Sequence, residues 1–240
     1  MIPYIVINGN ISNNITGLII QKLPPISKPK RRTQIEEIDG RDGDIVTTLG
    51  YSAYDKDLTI GLHGDYNIDD IISYFDSSGQ ITFSNEPDKY YDFAIYDQIN
   101  FEKLIRFKTA TVKLHVQPFK YSESETAIVK TYDNNNINAS ITVRNNGNIY
   151  SKPTLQITGK GNIDVNLNGT QIFNITLSSA EYETIIINSV DLNAYSLSGD
   201  YLNRKVTGDY DNLKLNVGNN NVTINGNVTN VTINNYSRWI

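Results

Sequence analysis

The sequence predicts a mainly β protein with one α-helix, and three observations lead to this fold class. Short runs of alternating apolar and polar residues recur along most of the 240 residues, and this alternation is the period of a half-buried strand. Asn-Gly and Asp-Gly pairs, which favour tight turns, separate several of these runs. Only one segment repeats its apolar residues at the spacing of a helix. The chain has no cysteine, which excludes disulfides, thiolate metal sites and a cysteine nucleophile.

Two predicted strands and a long irregular connection open the chain. The strands are YIVING and TGLIIQKL. LPPISKPKRR follows, and its three prolines remove backbone donors and fix φ, which predicts an extended loop. Asp39-Gly40 and Asp42-Gly43 in IEEIDGRDGDI are turn signals. DLTIGLHG then alternates as a further strand.

NIDDIISYFDSSG is the predicted helix. Its apolar residues recur at i, i+3, i+4 and i+7 and form one stripe, which comprises Ile68, Ile71, Ile72 and Phe75. Asn67 is a predicted N-cap, because its side chain can accept from a free backbone N–H of the first turn. Gly79 is the predicted end of the helix.

QITFSN and a strand pair follow the helix, and the pair comprises DFAIYDQI and LIRFKTATVKLHVQPF. In the second strand Val112, Leu114 and Val116 share the apolar face, and His115 points to the polar one. We therefore interpret His115 as a surface residue rather than a general base, since the sequence implies no oriented carboxylate or nucleophile beside it. Pro118 should end the strand pairing, because proline has no N–H to donate.

The polar stretch SESETAIVKTYDNNN predicts a domain boundary, which we place between residues 128 and 129. The domains are then 1–128 and 129–240. From Ile137 onward the strand-like runs are ASITVRN, PTLQITG, NIDVNLNG, QIFNITLS, YETIIIN, NLKLNVG and NVTING. Many short strands at even spacing predict an all-β sandwich or jelly roll.

The charged residues limit the classes of partner. The net charge of −5 argues against a general nucleic-acid or anionic-membrane binder. The basic cluster is either a solvated loop or one side of an intersubunit ion pairing, and it comprises Lys28, Lys30, Arg31 and Arg32. Arg41 is a further interface candidate, because its planar guanidinium suits bidentate contacts with a carboxylate.

Aromatic residues supply the other interface candidates. Tyrosines of the first domain fit either a protein contact surface or ordinary half-buried packing, and they are Tyr66, Tyr74, Tyr90, Tyr91 and Tyr96. Of these, Tyr90 and Tyr91 are predicted interface residues. Trp239 could stack on a sugar or a partner, or it could dock the last strand onto the core.

No pattern predicts catalysis, a metal or a cofactor. The segment from Asp39 to Asp44 could offer oxygen ligands to a hard cation, but it lacks EF-hand spacing, and a hairpin turn is the other interpretation. Glu36 and Glu37 are adjacent on a predicted strand and face opposite sides. No uncharged run approaches the length of a membrane helix. We expect a soluble protein that is not an enzyme and binds no cofactor.

Several of these segments, in this order, resemble the distal tail protein (Dit) family of long-tailed phages that infect Gram-positive bacteria. The matching pieces of the first half are IDGRDGDI, the helix with ITFSNEPDKYYDFAIYD, and TATVKLHVQPFKY. The Pro-Phe-x-Tyr end of the last piece is the most specific. GNIYSKPTLQITGKGNIDVNLNG and LKLNVGNNNVTI resemble the family's galectin-like C-terminal β-sandwich. The resemblance covers nearly the whole chain.

This resemblance implies a structural protein of the virion, located at the tail tip after assembly in the host cytoplasm. The N-terminal domain would be a β-sandwich with one helix and an extended hairpin, and six copies would form a ring around the tail channel. The ring would join the major tail protein ring to the tail-tip hub, and in some phages the outer domain holds receptor-binding or baseplate proteins. The alternative is a carbohydrate-binding module that recognises host cell-wall sugars through residues 130–240.

Overall fold

The computed structural model describes residues 2–133 and 137–240, and the chain divides into two compact units. The first comprises Met1–Glu123 with Ile240, and the second comprises Ser124–Trp239. Strands predominate in both units, which confirms the mainly β fold class. The last three residues of the polar stretch at the predicted boundary, 134–136, lie outside the described residues.

The first unit combines one large antiparallel sheet, a separate hairpin and two α-helices. Its strands are β1 (Ile5–Ile7), β2 (Asn10–Ile11), β3 (Leu18–Lys22), β4 (Arg31–Glu36), β5 (Ile45–Tyr51), β6 (Tyr54–Leu62), β7 (Ser78–Phe83), β8 (Lys89–Ala94) and β9 (Thr109–Ser122). Its helices are α1 (Ile68–Phe75) and α2 (Phe101–Phe107). The strand order in the sheet is β2-β1-β7-β8-β9-β6-β3, and β4 pairs with β5 alone.

The core of the first unit follows the two-residue period of its strands. In β9 the buried positions alternate with more exposed ones, as the sequence predicts, and they are Ala110, Val112, Leu114 and Val116. Matching apolar faces of β1, β3, β6, β7 and β8 and the inner faces of both helices complete one buried cluster. Among the described residues no helix is long and apolar enough to cross a membrane.

The predicted helix is present as α1, with one difference at its end. Asn67 caps its start, and the Oδ1 atom accepts a hydrogen bond from the Asp69 N–H at 3.1 Å. The helix ends at Phe75 rather than at Gly79, which already lies in β7 with φ +130°. Of the predicted stripe, Ile72 lies on the exposed side of the helix.

The sequence did not predict α2, because the apolar run of LIRF reads equally well as the start of the strand that follows. The Asn100 side chain caps this helix by accepting from the Lys103 N–H at 2.7 Å. Leu104 is its fully buried residue. Lys108 ends it in the left-handed region, with φ 56°. The prediction for Pro118 was also wrong, because β9 continues through it to Ser122.

The second unit is built entirely from strands and short 3-10 turns. Its strands are β10 (Ile128–Thr131), β11 (Ile137–Asn145), β12 (Thr154–Leu167), β13 (Thr170–Thr176), β14 (Glu183–Asn188), β15 (Asn193–Tyr195), β16 (Val206–Gly208), β17 (Gly218–Asn234) and β18 (Arg238–Trp239). Ile128 belongs to this unit rather than to the first, because β10 pairs along β17. The boundary between the units thus precedes the one predicted after residue 128.

Two long strands, β12 and β17, each contribute to both layers of a sandwich-like arrangement. The N-terminal half of β12 pairs with β14, and the C-terminal half of β17 beside it pairs with β10. The C-terminal half of β12 pairs with β13, and the N-terminal half of β17 pairs with β11. The register shifts where the strands bend, between Thr158 and Gly159 and between Lys160 and Ile163. A buried apolar cluster lines the inner faces. This arrangement confirms the predicted β-sandwich.

Candidate assembly interface

The β4–β5 hairpin is the most exposed element of the first unit. Residues 30–44 are exposed without interruption, and all six residues of β4 are exposed on both faces. An isolated two-stranded hairpin is only marginally stable in water. The hairpin also exposes large apolar side chains, and these are Ile35, Ile38, Val46 and Leu49. Such an element is suited to contact another chain.

The predicted turn lies at the tip of this hairpin. Gly40 and Gly43 have φ values of +83° and +78°, which residues with a Cβ rarely adopt. The Arg41 N–H donates to the Ile38 carbonyl at 3.1 Å and closes the turn. Within residues 2–133 and 137–240, no group of three or more His, Asp or Glu side chains could hold a metal ion.

The predicted basic cluster lies at the opposite end of the hairpin, where the ribbon joins the unit. We call this end the root. Arg31 Nη2 donates to the Tyr51 hydroxyl at 3.2 Å, and its guanidinium lies 5.6 Å from the centre of the same ring. Arg32 Nη2 donates to the Leu49 carbonyl at 3.4 Å. Lys28 and Lys30 are exposed beside them. Arg41 is therefore separated from the cluster by the length of β4.

Two side chains of β6 and one from the turn between β7 and β8 hold the segment that leads into the root. Three successive hydrogen bonds reach its backbone carbonyls: Asn85 Nδ2 to Pro24 at 3.3 Å, Lys56 Nζ to Pro25 at 2.8 Å and the Tyr54 hydroxyl to Ser27 at 3.3 Å. The Ser52 N–H also donates to the Lys30 carbonyl at 2.9 Å and closes the base of the hairpin. These contacts fix the direction of the hairpin root, although the ribbon itself is exposed.

Lys56 belongs to a buried charged group beneath this segment. Its side chain is almost fully buried, and its Nζ lies 5.0 Å from the centre of the Tyr91 ring. Burial lowers the pKa of Lys56 to about 8, although the nearby Glu86 carboxylate acts in the opposite direction. Glu86 accepts from Lys120 Nζ at 2.7 Å and from the Tyr91 hydroxyl at 2.9 Å. Glu86 is therefore the ion-pair partner of Lys120, and its charge also acts on Lys56.

The two tyrosines predicted at the interface have different environments. Tyr91 is fully buried, so the structure places it in the core rather than on the surface. Burial and the neighbouring Glu86 raise the pKa of its hydroxyl. Tyr90 is half-buried and stacks on Tyr121, with ring centres 5.5 Å apart. The alternation of buried and exposed positions along β8 could have distinguished the two tyrosines in the sequence, because Tyr91 lies two residues from the apolar Phe93 and therefore on the same face.

The other tyrosines of the first unit also differ in exposure. Tyr74 is buried in α1, and its hydroxyl donates to the Asn10 carbonyl at 3.0 Å. Tyr66 is half-buried, with Lys108 Nζ 4.6 Å from its ring centre. Tyr96 is 77% exposed and is thus the member of the group most accessible to a partner.

His115 lies at the surface, as predicted, but the structure adds a carboxylate beside it. His115 Nδ1 is 2.8 Å from Asp55 Oδ1, because β6 and β9 pair these two residues directly across the strands. A cavity of about 160 Å³ lies here and is lined by Asp55, Tyr96, Asp97, Lys113 and His115. The lining thus combines two carboxylates, one ammonium group, one phenol and the imidazole.

The second unit has a larger surface cavity, of about 410 Å³. Its lining residues are Glu183, Thr184, Ser196, Leu197, Ser198, Leu202 and Lys205. Lys205 Nζ lies 2.7 Å from Glu183 Oε2 and holds the pKa of that carboxyl below its ordinary value. Trp239 is not among the lining residues, and it lies half-buried in β18.

Comparison with solved structures identifies the fold. The crystal structure of the Dit protein of phage SPP1 matches over the full length of both chains, with a TM-score of 0.66 and 17% sequence identity. The chain has the Dit fold. The phage P2 baseplate in its calcium-activated conformation is similar over 97% of both chains, with a TM-score of 0.49 and 12% identity. No protein-family model matches the sequence, and no curated protein matches it.

The Dit fold confirms, at the level of structure, the resemblance to the distal tail protein family that the sequence indicated. SPP1 Dit is described as a paradigm of the hub adsorption apparatus in phages that infect Gram-positive bacteria. Within the Dit fold of this chain, the predicted interface residues divide into three places. Lys28, Lys30, Arg31 and Arg32 are at the hairpin root, Arg41 is at the tip, and Tyr90 and Tyr91 are on β8.

Proposed function

We propose that this protein is a structural, non-catalytic subunit of a phage tail or baseplate. The likeness to SPP1 Dit over the full length of both chains carries this proposal. The exposed β4–β5 hairpin supports it, since a marginally stable ribbon with apolar side chains is stabilised by contact with a neighbouring chain. The subunit is then a component of the virion.

The finer proposal is a homo-hexameric ring at the tail tip. Head-to-tail contacts between two different patches of each subunit generate closed rings. The first unit offers two such patches, the projecting hairpin and the outer edge of β3, which is the terminal strand of the sheet order. An unpaired strand edge can be covered by a neighbour. The ring would join the major tail protein ring to the tail-tip hub, and the second unit would contact receptor-binding or baseplate proteins.

Light scattering coupled to size exclusion tests the ring. The full chain should elute as a closed assembly of six copies at high concentration, and negative-stain images should show rings. A matched variant in which a short Gly-Ser turn replaces residues 31–51 should remain monomeric and keep the thermal transition of the two cores. If the full chain stays monomeric at every concentration, alone and with its tail-tube and hub partners, the proposal is wrong.

A second candidate function is recognition of wall sugars by the second unit. The cavity of about 410 Å³ favours it, because its size suits a small ligand and its lining combines hydroxyl, carboxylate, ammonium and leucine side chains. A glycan array with the full chain tests this function. Binding to a defined sugar that Glu183→Gln abolishes would support it, and no binding to any wall glycan would reject it.

A further inference from the structure

The charges of the β4–β5 hairpin are sorted by position. The root segment, residues 26–35, carries four basic residues and no acidic one: Lys28, Lys30, Arg31 and Arg32. The tip segment, residues 36–44, carries five acidic residues and one basic one: Glu36, Glu37, Asp39, Asp42, Asp44 and Arg41. The root therefore has a formal charge of +4 and the tip a formal charge of −4, so the two ends are matched in magnitude and opposite in sign.

The two ends do not neutralise each other within one chain. The nearest opposite charges, Arg32 and Glu36, are four residues apart on β4, or about 13 Å at the rise of a strand. This separation exceeds the Debye length of about 8 Å at physiological salt. Glu36 also accepts a hydrogen bond from Gln34 at 2.7 Å, and Arg32 is held by the Leu49 carbonyl. Over residues 2–133 and 137–240, no hairpin charge forms an ion pair.

Apolar side chains lie between the two charged ends. Ile35 and Val46 are directly paired across the strands, so they lie on the same face of the ribbon. They are 58% and 59% exposed. Ile38, at 48% exposure, continues the apolar surface toward the tip. A partner that contacts both charged ends would also cover this surface.

We propose that the acidic tip of one copy's hairpin binds the basic root of the next copy's hairpin. This inference rests on the ring proposed above, and it assigns the root of the neighbouring hairpin, rather than the edge of β3, as the patch that receives the hairpin tip. The charges favour a second copy of the chain as the binding partner. Its root offers a charge of +4 to the tip, and its tip offers a charge of −4 to the root. A nucleic acid would match the root alone and would be repelled by the tip.

This contact has the symmetry that a ring requires. The tip and the root are different patches, so each copy donates its tip to one neighbour and its root to the other. Exposed ion pairs are individually weak, and the contact gains strength from the number of charges and from the apolar surface between them. Assembly should therefore weaken as the salt concentration rises.

Two charge-reversed variants test the contact in trans. The root-reversed variant replaces Lys28, Lys30, Arg31 and Arg32 with Glu, and the tip-reversed variant replaces Glu36, Glu37, Asp42 and Asp44 with Lys. Each variant alone carries two ends of the same sign, so we expect at least a tenfold weaker self-association by analytical ultracentrifugation. An equimolar mixture restores opposite signs at every contact, and assembly should return to the wild-type level.

Controls separate this inference from the ring itself. A variant with Lys130→Glu, Arg144→Glu and Arg204→Glu changes the net charge by a similar amount on exposed positions of the second unit, and it should assemble normally. Wild-type thermal transitions in the reversed variants show that the cores are folded. If either reversed variant assembles as the wild type does, or if the mixture fails to recover assembly, the tip-to-root contact is wrong and the ring proposal stands. A wild type that never assembles would overturn both.

The absence of cysteine allows a direct measurement of proximity. A variant with Lys30→Cys at the root and Ile38→Cys at the tip should give a ladder of covalent oligomers with a short bis-maleimide cross-linker. Each single-cysteine variant should give no species beyond a dimer. A double variant that yields no ladder while it still assembles would place the tip away from the neighbouring root and overturn the contact.

Discussion

Lys56 Nζ lies 2.8 Å from the Pro25 carbonyl oxygen and so connects a buried charge to the segment that leads into the hairpin. The same ammonium group lies over the Tyr91 ring, near the Glu86 carboxylate that is paired with Lys120. A sheet residue and a proline 31 positions away thereby fix the direction in which an exposed ribbon leaves the unit.

Lys56→Met should loosen the hairpin root without unfolding the sheet. Methionine fills the buried space but cannot donate to the Pro25 carbonyl. Loss of a hydrogen bond from a charged donor costs about 1.5–3 kcal/mol, which corresponds to roughly a tenfold to hundredfold larger open population of the root. Limited trypsin digestion after Lys30 should accelerate accordingly. Lys22→Met, on an exposed position of β3, is the matched control and should leave that rate unchanged.

The stability of the first unit should rise with pH between about 8 and 9.5. The pKa of Lys56 is about 8 in the folded chain and about 10.5 when it is exposed on unfolding. In this window the unfolded state therefore holds more protons than the folded state, so the penalty of the buried charge is relieved as the pH rises. The gain should be about 1.5 kcal/mol.

Denaturant unfolding of the wild type and Lys56→Met at several pH values measures this gain. The free energy of unfolding of the wild type should increase relative to that of the variant as the pH rises to 9.5. Above pH 10 the raised pKa of Tyr91 acts in the opposite direction, because the unfolded tyrosine loses its proton first. A constant difference between the two proteins from pH 8 to 9.5 would contradict the assignment.

Glu86→Gln should destabilise the first unit by about 3–5 kcal/mol, because it leaves the buried Lys120 without its ion-pair partner and removes the attraction that favours the charged form of Lys56. Thermal and urea unfolding measure the loss. Asp88→Asn, on an exposed neighbouring carboxylate, is the control and should change stability by less than about 1 kcal/mol. The double variant Glu86→Gln with Lys120→Met should recover part of the loss. Additive effects of the two substitutions would show that the pair is not coupled.

Gly226→Ala should destabilise the second unit more than Gly161→Ala does. Both glycines have positive φ, at +134° and +68°. A Cβ at Gly226 would lie 2.6 Å from the Asn162 carbonyl oxygen, whereas a Cβ at Gly161 would have no atom within 4 Å. We expect about 1 kcal/mol for Gly161→Ala from strain alone, and more than about 3 kcal/mol for Gly226→Ala. Equal losses on thermal unfolding would show that β17 can shift away from β12.

Local sequence determined the elements whose causes are local. The alternation of β9, the Asn67 cap of α1 and the Asp-Gly turns of the hairpin each depend on residues within one turn or one strand, and the structure contains all three. The order of such segments along the chain was also sufficient to indicate the Dit fold. Helix α2 was missed because its apolar residues run directly into those of β9, so the helical spacing of the first cannot be distinguished from the two-residue spacing of the second.

Tertiary structure alone decided the contacts between residues that are distant in sequence. Asp55 reaches His115 only because β6 and β9 pair in one register, and the buried Lys120 meets its ion-pair partner Glu86 although 34 positions separate them in the sequence. Tyr91 enters the core while Tyr90 stays half-buried, because successive residues of β8 point to opposite faces and the face of Tyr91 and Phe93 joins the buried cluster. The charged residues of the hairpin are visible in the sequence, but their separation along an exposed ribbon depends on the pairing of β4 with β5. Local periodicity encodes strands and turns, whereas register and burial arise from the packing of whole elements, which no single segment specifies.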